Sequence, residues 1–98
     1  MHFFETHYQL SDKEKHSAKI TEVNATQIIN IQLAAGQSIA EHHAKENTIV
    51  IVRRGKVQFT VEGQQVVLTN EAILAMDPLA QHDLLAIEDT DLLLLKVK

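Results

Sequence analysis

The sequence of 98 residues has no cysteine, and it has only three glycines and one proline. Without cysteine the protein has no disulfide, no thiolate zinc site and no cysteine nucleophile. Isolated glycines do not form a phosphate-binding loop. The longest apolar runs, Ala72 to Met76 and Leu92 to Leu95, span five and four residues, whereas a membrane-spanning helix needs about 20. We therefore expect no membrane association.

The net charge and the amino-terminal residues exclude further classes of protein. Nine basic and thirteen acidic residues give a net charge of −4, which disfavours a nucleic-acid-binding surface. The segment Met1 to Glu5 lacks the basic and apolar parts of a secretory signal. We expect a cytoplasmic protein of one domain, because a chain of this length holds a single small core. Against this background six histidines are many.

Short segments typical of β-strands dominate the chain after residue 17. Gln27 to Leu33 and Val57 to Val61 alternate apolar and polar residues, which is the pattern of a half-buried strand. Thr48 to Val52 is β-branched throughout and suits a strand buried on both faces. The side chains expected to point inward are Ile29, Ile31, Leu33, Val57, Phe59, Val61 and part of Leu92 to Leu95. Eight or nine short strands without a helix, at spacings of roughly 8–12 residues, predict an all-β sandwich or barrel.

The residues before this β region differ in character. The stretch Gln9 to His16 is polar and has no sustained apolar period. We divide the chain into an N-terminal arm with the first strand, residues 1–26, and a β-barrel, residues 27–98. Three histidines of the first part have no metal-ligand spacing among them, and we expect them to be solvated. They are His2, His7 and His16.

Two segments of the barrel region carry spaced histidines. In the first, Gly36 is followed after five residues by His42, and Gly55 lies thirteen residues beyond His42. In the second, Pro78 precedes His82 by four residues. This arrangement resembles the two-part signature of the cupins, G-x5-H-x-H-x3-4-E-x6-G followed by G-x5-P-x-G-x2-H. The resemblance covers most of the chain and is closest to the small single-domain cupins.

The resemblance implies a single-domain double-stranded β-helix, the jelly-roll barrel of the cupins, with a short N-terminal arm. It also implies a divalent metal inside the barrel. His42 and His82 fall on two of the family's ligand positions, whereas Ala44 and Thr48 stand where the family has its second histidine and its glutamate. The glycines of the second motif are also replaced. The sequence therefore predicts a reduced metal site.

His43 is the candidate for replacing a lost ligand. Neighbouring residues of a regular strand point to opposite faces, so His42 and His43 reach one metal only if the strand has a bulge. Otherwise one of the pair points to solvent. Glu46 is an additional candidate, although a surface charge is the more common role. The predicted ligands are thus His42, His43 and His82 with or without Glu46, and such donors suit iron, nickel, zinc or manganese.

Two functions remain open at this point. The first is a metal-binding cupin that binds or acts on an unidentified small molecule in the barrel. The second is a non-enzymatic ligand-binding or sensing module that has lost its metal site, and the fold alone does not choose between them. The resemblance also implies a homodimer, in which the arm with Phe3, Phe4, Tyr8 and Leu10 adds to the neighbour's sheet.

Overall fold

The computed structural model describes residues 1–98 and consists of strands joined by turns. It contains no helix, and hence none that is long and apolar enough to cross a membrane. The nine strands are β1 (Lys15–Val23), β2 (Thr26–Leu33), β3 (Ser38–His42), β4 (Asn47–Arg54), β5 (Val57–Val61), β6 (Gln64–Leu68), β7 (Ile73–Met76), β8 (His82–Ala86) and β9 (Thr90–Val97). The prediction of eight or nine short strands without a helix is confirmed.

The strands form two sheets whose neighbours are often distant in sequence. One sheet has five strands in the order β1-β2-β9-β4-β7, and the other has four in the order β3-β8-β5-β6. Every pair is antiparallel. The chain crosses repeatedly between the sheets, so that β9 lies between β2 and β4, and β8 lies between β3 and β5. This topology is the double-stranded β-helix that the cupin resemblance implies.

The hydrophobic core lies between the inner faces of the two sheets. Its members include the fully buried side chains of Val50, Val57, Phe59 and Leu92. Complete burial of an aliphatic or aromatic side chain of this size contributes about 1.5–3 kcal/mol. The predicted inward positions are confirmed as buried residues of the core or as side chains packed against it: Ile29, Ile31, Leu33, Val57, Phe59, Val61, Leu92 and Leu94.

The outer face of β2 is covered as well. Asn30 and Gln32 alternate with the inward residues, yet they are only 2% and 0% exposed. The Asn30 side chain donates hydrogen bonds to the Asp91 carboxylate (2.7 Å) and to the Leu92 carbonyl oxygen (3.0 Å) of β9, and Gln32 is bonded to the N-terminal arm. The Gln32 side chain donates a hydrogen bond to the His7 carbonyl (2.8 Å) and accepts one from the Gln9 amide (2.9 Å). The buried amide of Gln32 thus fixes the arm through two hydrogen bonds to its backbone, as a paired β-strand would.

The turn between β4 and β5 brings two chain segments unusually close. Gly55 has a φ of +92°, which side-chain-bearing residues rarely adopt. A Cβ at this position would overlap the backbone carbonyl oxygen of Asp89. Only glycine therefore allows the backbone of this turn to pack against the turn between β8 and β9.

Candidate functional site

A cavity of about 200 Å³ opens between the two sheets and contains two of the predicted metal ligands. His42 and Ile39 contribute from β3, and His82 contributes from β8. The facing wall comes from the five-stranded sheet. Its lining residues are Ser17, Ile29, Ile31, Thr48, Leu94 and Lys96.

His42 and His82 lie opposite each other on paired strands. They are register partners of β3 and β8, and their ring centroids are 4.1 Å apart with an angle of 63° between the ring planes. Each Nδ1 lies close to the carbonyl oxygen two residues earlier in the chain, at 2.9 Å from Ala40 and 3.0 Å from Ala80. Since a carbonyl oxygen only accepts, each Nδ1 carries the proton in the neutral ring. Each Nε2 is therefore left with a lone pair.

A bulge in β3 brings His42 to the cavity. Ile39 pairs with Leu84, whereas His42 pairs with His82, so β3 has one residue more than β8 between these two pairs. Residues three apart in a regular strand lie on opposite faces, but Ile39 and His42 both line the cavity. The bulge absorbs the extra residue. A regular strand would have directed Glu41 and His43, rather than His42, to the face of Ile39.

Burial keeps His82 neutral. His82 is only 4% exposed. This burial removes water from the ring and lowers the pKa of His82 below its usual value of 6.5, because burial disfavours the charged ring. The hydrogen bond to the Ala80 carbonyl and the charge of Asp83 raise the pKa, while the charges of His42 and Lys96 lower it further. A neutral imidazole is the form that binds a metal or accepts a proton.

The four positions that correspond to the cupin ligands all meet at this cavity. His42, Ala44, Thr48 and His82 are among its lining residues. Ala44 supplies no donor atom, and the Thr48 hydroxyl lies 3.4 Å from the Glu46 carbonyl oxygen. The four positions thus lie around one cavity, and two of them hold histidines.

The structure does not bring His43 or Glu46 to the cavity. His43 is exposed and follows the end of β3, and neither residue is among the lining side chains. No group of three or more histidine, aspartate or glutamate side chains is close enough to hold a metal ion. The set of His42, His43 and His82 with Glu46 therefore stays a prediction.

The remaining histidines lie away from this site. His7 is close to Glu5, at 3.5 Å, and His16 lies on β1. Both border an open depression of about 400 Å³ between the arm and β1. Another depression, of about 390 Å³, lies between β6 and β7 and has no histidine in its lining. We place the candidate site in the smaller cavity, since it alone combines two facing imidazoles.

Lys96 is a cavity residue that the sequence analysis missed. It lies on β9 opposite Thr48 of β4, and its charge acts on His82. A signal was present in the sequence, because Leu92, Leu94 and Lys96 share the inward face of a strand with period two. An inward lysine at the end of an apolar alternation is expensive to bury unless it meets a ligand or water.

Comparison with known proteins identifies the fold through solved structures and not through sequence similarity. No protein-family model matches the sequence, and no curated protein sequence matches it significantly. Solved structures do match. A cupin superfamily protein from Desulfitobacterium hafniense superposes with a TM-score of 0.83 at 18% identity, covering 92% of this chain and 83% of its own.

Two further structures extend this comparison. An RmlC-like cupin family protein with a double-stranded β-helix fold, from Methanocaldococcus jannaschii, has a TM-score of 0.83 at 18% identity and covers 99% of this chain and 90% of its own. KdgF from Halomonas sp. has a TM-score of 0.78 at 14% identity and covers 99% and 87%. The chain is therefore an all-β jelly-roll protein. More specifically, it has the fold of the small RmlC-like cupins.

Proposed function

We propose that the protein is a cupin that binds a small molecule in the cavity between its sheets, at a divalent transition metal held by His42 and His82. The observation that carries this proposal is the pair of facing imidazoles. In each ring Nδ1 is hydrogen-bonded to a backbone carbonyl oxygen, which leaves the lone pair of Nε2 available to a metal. Hydrogen bonding of the second ring nitrogen to a carbonyl is the usual support of a metal-binding histidine.

The donor set fits a metal only in part. Two neutral imidazoles suit iron, nickel, zinc or manganese, but Ala44 and Thr48 provide no further strong ligand and Lys96 adds a positive charge. His43 or Glu46, from the segment between β3 and β4, is the proposed third ligand after a local rearrangement of that segment. A bound metal would supply Lewis-acid activation of the small molecule.

Lys96 favours a second candidate function. The cavity lining contains a lysine and no carboxylate, a balance that disfavours a divalent cation and favours a negatively charged ligand. In this case the protein is a metal-free ligand-binding or sensing module. Both candidates place the small molecule against the same side chains, His42, His82 and Lys96.

We further propose that the protein works as a cytoplasmic homodimer. Support comes from the arm, where Phe3, Phe4 and Tyr8 are 77%, 50% and 44% exposed. Three exposed aromatic residues in one short segment are a typical feature of an interaction surface. Pairing of two copies through the arm would bury these side chains and cover an edge of the sheet.

Metal content tests the first candidate. We expect protein produced without an affinity tag to contain iron, nickel, zinc or manganese in a stoichiometric amount, measured by inductively coupled plasma mass spectrometry. His82→Ala and His42→Ala should lose the metal, because each removes one of two facing donors. His7→Ala should keep it, since His7 lies in the arm near Glu5. Comparison of His43→Ala with Glu46→Gln identifies the third ligand.

One result would overturn the metal proposal. If the wild-type protein is metal-free, and none of the four metals changes its melting temperature, the two-histidine centre is not a metal site. The metal-free candidate would then stand, because it depends on the cavity and on Lys96 rather than on a metal.

A further inference from the structure

We infer that the ligand of this cavity is a short-chain aliphatic carboxylate, whose negative charge is matched by Lys96 and whose alkyl part packs on the apolar floor. The inference rests on the proposed binding of a small molecule, but it does not depend on the metal. It names the chemical class of the ligand from the charges, the donors and the size of the cavity.

The charge of the cavity is unbalanced. Lys96 takes part in none of the ion pairs of the protein, which join His7 to Glu5, Arg53 to Asp91 and Lys56 to Glu88. Its side chain also makes no hydrogen bond, although it lines the cavity and is half-buried. The acidic residue whose charge reaches His82 is Asp83, which is not among the lining residues. An unpaired ammonium in a partly enclosed site favours an anionic ligand.

This positive site is local. The protein as a whole carries a net charge of −4, so a general attraction for anions is absent. An anion would therefore be held by Lys96 itself rather than by the overall field of the molecule.

The other polar groups fit a carboxylate better than a phosphate. The lining hydroxyl of Ser17 can donate one hydrogen bond, whereas the Thr48 hydroxyl already donates to the Glu46 carbonyl oxygen at 3.4 Å. The two histidines present unprotonated Nε2 atoms in their neutral form, and these atoms accept rather than donate. One ammonium and one free hydroxyl suit a singly charged carboxylate better than a phosphate dianion, which has more charge and more acceptor oxygens.

The floor and the volume define the remainder of the ligand. Ile29, Ile31, Ile39 and Leu94 provide apolar walls, on which an alkyl group of the ligand is removed from water. The volume of about 200 Å³ equals the share of roughly seven water molecules in the liquid. A branched acid of this size is 3-methylbutanoate, and we use it as the probe.

A titration followed by two-dimensional NMR tests the inference on metal-free protein and again after metal is added. We expect 3-methylbutanoate to shift the amide resonances around the cavity and to bind at least about tenfold more tightly than 3-methylbutanamide, which is the neutral analogue of the same shape; tenfold corresponds to about 1.4 kcal/mol. Inorganic phosphate should bind more weakly than the acid because the cavity lacks donors for it.

Variants of the lysine complete the test. Lys96→Met should reduce acid binding at least about fivefold and leave amide binding unchanged, and Lys96→Arg should retain the preference for the acid because it retains the charge. Lys13→Met is the matched control: Lys13 is exposed before β1 and outside the cavity, and its loss should change nothing. A well-dispersed amide spectrum verifies that each variant is folded.

The inference is overturned if acid and amide bind equally, if phosphate binds more tightly than the acid, or if Lys96→Met binds the acid as well as the wild type does. These results are distinguishable from failure of the proposed metal. Acid binding in metal-free protein supports the inference even when no metal is found. Metal binding without acid binding supports the metal centre and refutes the inference.

Discussion

At the scale of single residues, the neutral state of His82 links the site to stability. Burial lowers the pKa of His82 below 6.5 in the folded protein, whereas the unfolded chain exposes this ring to water. Between the two pKa values the unfolded state binds more protons than the folded state. The free energy of unfolding therefore increases with pH across this window. The contribution that His82 makes to it is lost as the pH falls below 6.5.

This argument predicts the pH dependence of the metal-free protein. Between about pH 7.5 and about pH 5.5 the free energy of unfolding, measured with urea in the presence of a chelator, should fall. The fall should be smaller in His82→Asn, whose side-chain amide can still donate to the Ala80 carbonyl but does not titrate. His2→Asn is the control, since His2 is exposed and makes no hydrogen bond or ion pair. An undiminished fall in His82→Asn would show that burial of this ring does not cause it.

Much of the candidate site follows from residue spacing, and the rest does not. The cupin resemblance, which rests on the spacing from Gly36 to His42 and from Pro78 to His82, implies the two histidines that meet in the cavity. Whether His43 or His42 points inward depends on one extra residue in β3, which alternation does not reveal. Lys96 lies on β9 beyond the segment Leu92 to Leu95, to which the predicted inward positions of this strand are confined.

At the scale of elements, strands with long apolar alternation were predictable from their own residues, whereas a strand at His42 was expected only through the cupin resemblance. Its sequence, Ser38 to His42, has a single large aliphatic side chain, Ile39. The bulge between Ile39 and His42 interrupts the period of two. β3 is a strand because it pairs with β8, a tertiary interaction that local preference does not contain. β5 is predictable because its apolar residues alternate with polar ones. The structure buries Val57 and Phe59 of this strand completely.

The turns provide a prediction with an internal control. Gly55 and Gly36 have nearly the same backbone conformation, with φ of +92° and +88°. A Cβ at Gly36 would meet no atom within 4 Å, whereas one at Gly55 would overlap the Asp89 backbone. Gly36→Ala should cost about 1–2 kcal/mol from the left-handed conformation alone. Gly55→Ala should cost a further 1–3 kcal/mol or so, because overpacking against backbone forces it to shift.

Urea unfolding of both variants at one pH measures this difference. Equal losses of stability at the two positions would show that the contact between the β4–β5 turn and Asp89 relaxes without cost. A larger loss at Gly36 would contradict the steric argument altogether.

At the scale of the whole molecule, one chain exposes more surface than its mass requires. It exposes 6099 Å² for a mass of 11.0 kDa, whereas a compact monomer of this mass exposes about 5,600 Å². The arm accounts for part of this excess, since Gln32 fixes only His7 and Gln9 while the aromatic side chains before them stay largely exposed. Such a surface suits association of two copies, for which about 800 Å² per partner is usual.

The proposed homodimer predicts a mass of about twice the 11.0 kDa of one chain in size-exclusion chromatography with light scattering at micromolar concentration. Replacing both Phe3 and Phe4 by serine should shift the equilibrium towards the monomer, because the dimer then loses the apolar area that these rings would bury. Val67→Ser is the matched control: Val67 is 49% exposed on β6, an edge strand of the other sheet, and should leave the mass unchanged. A wild-type mass of about 11 kDa would refute the homodimer. If the dimer survives in the double variant but dissociates in Val67→Ser, the interface lies at the β6 edge and not at the arm.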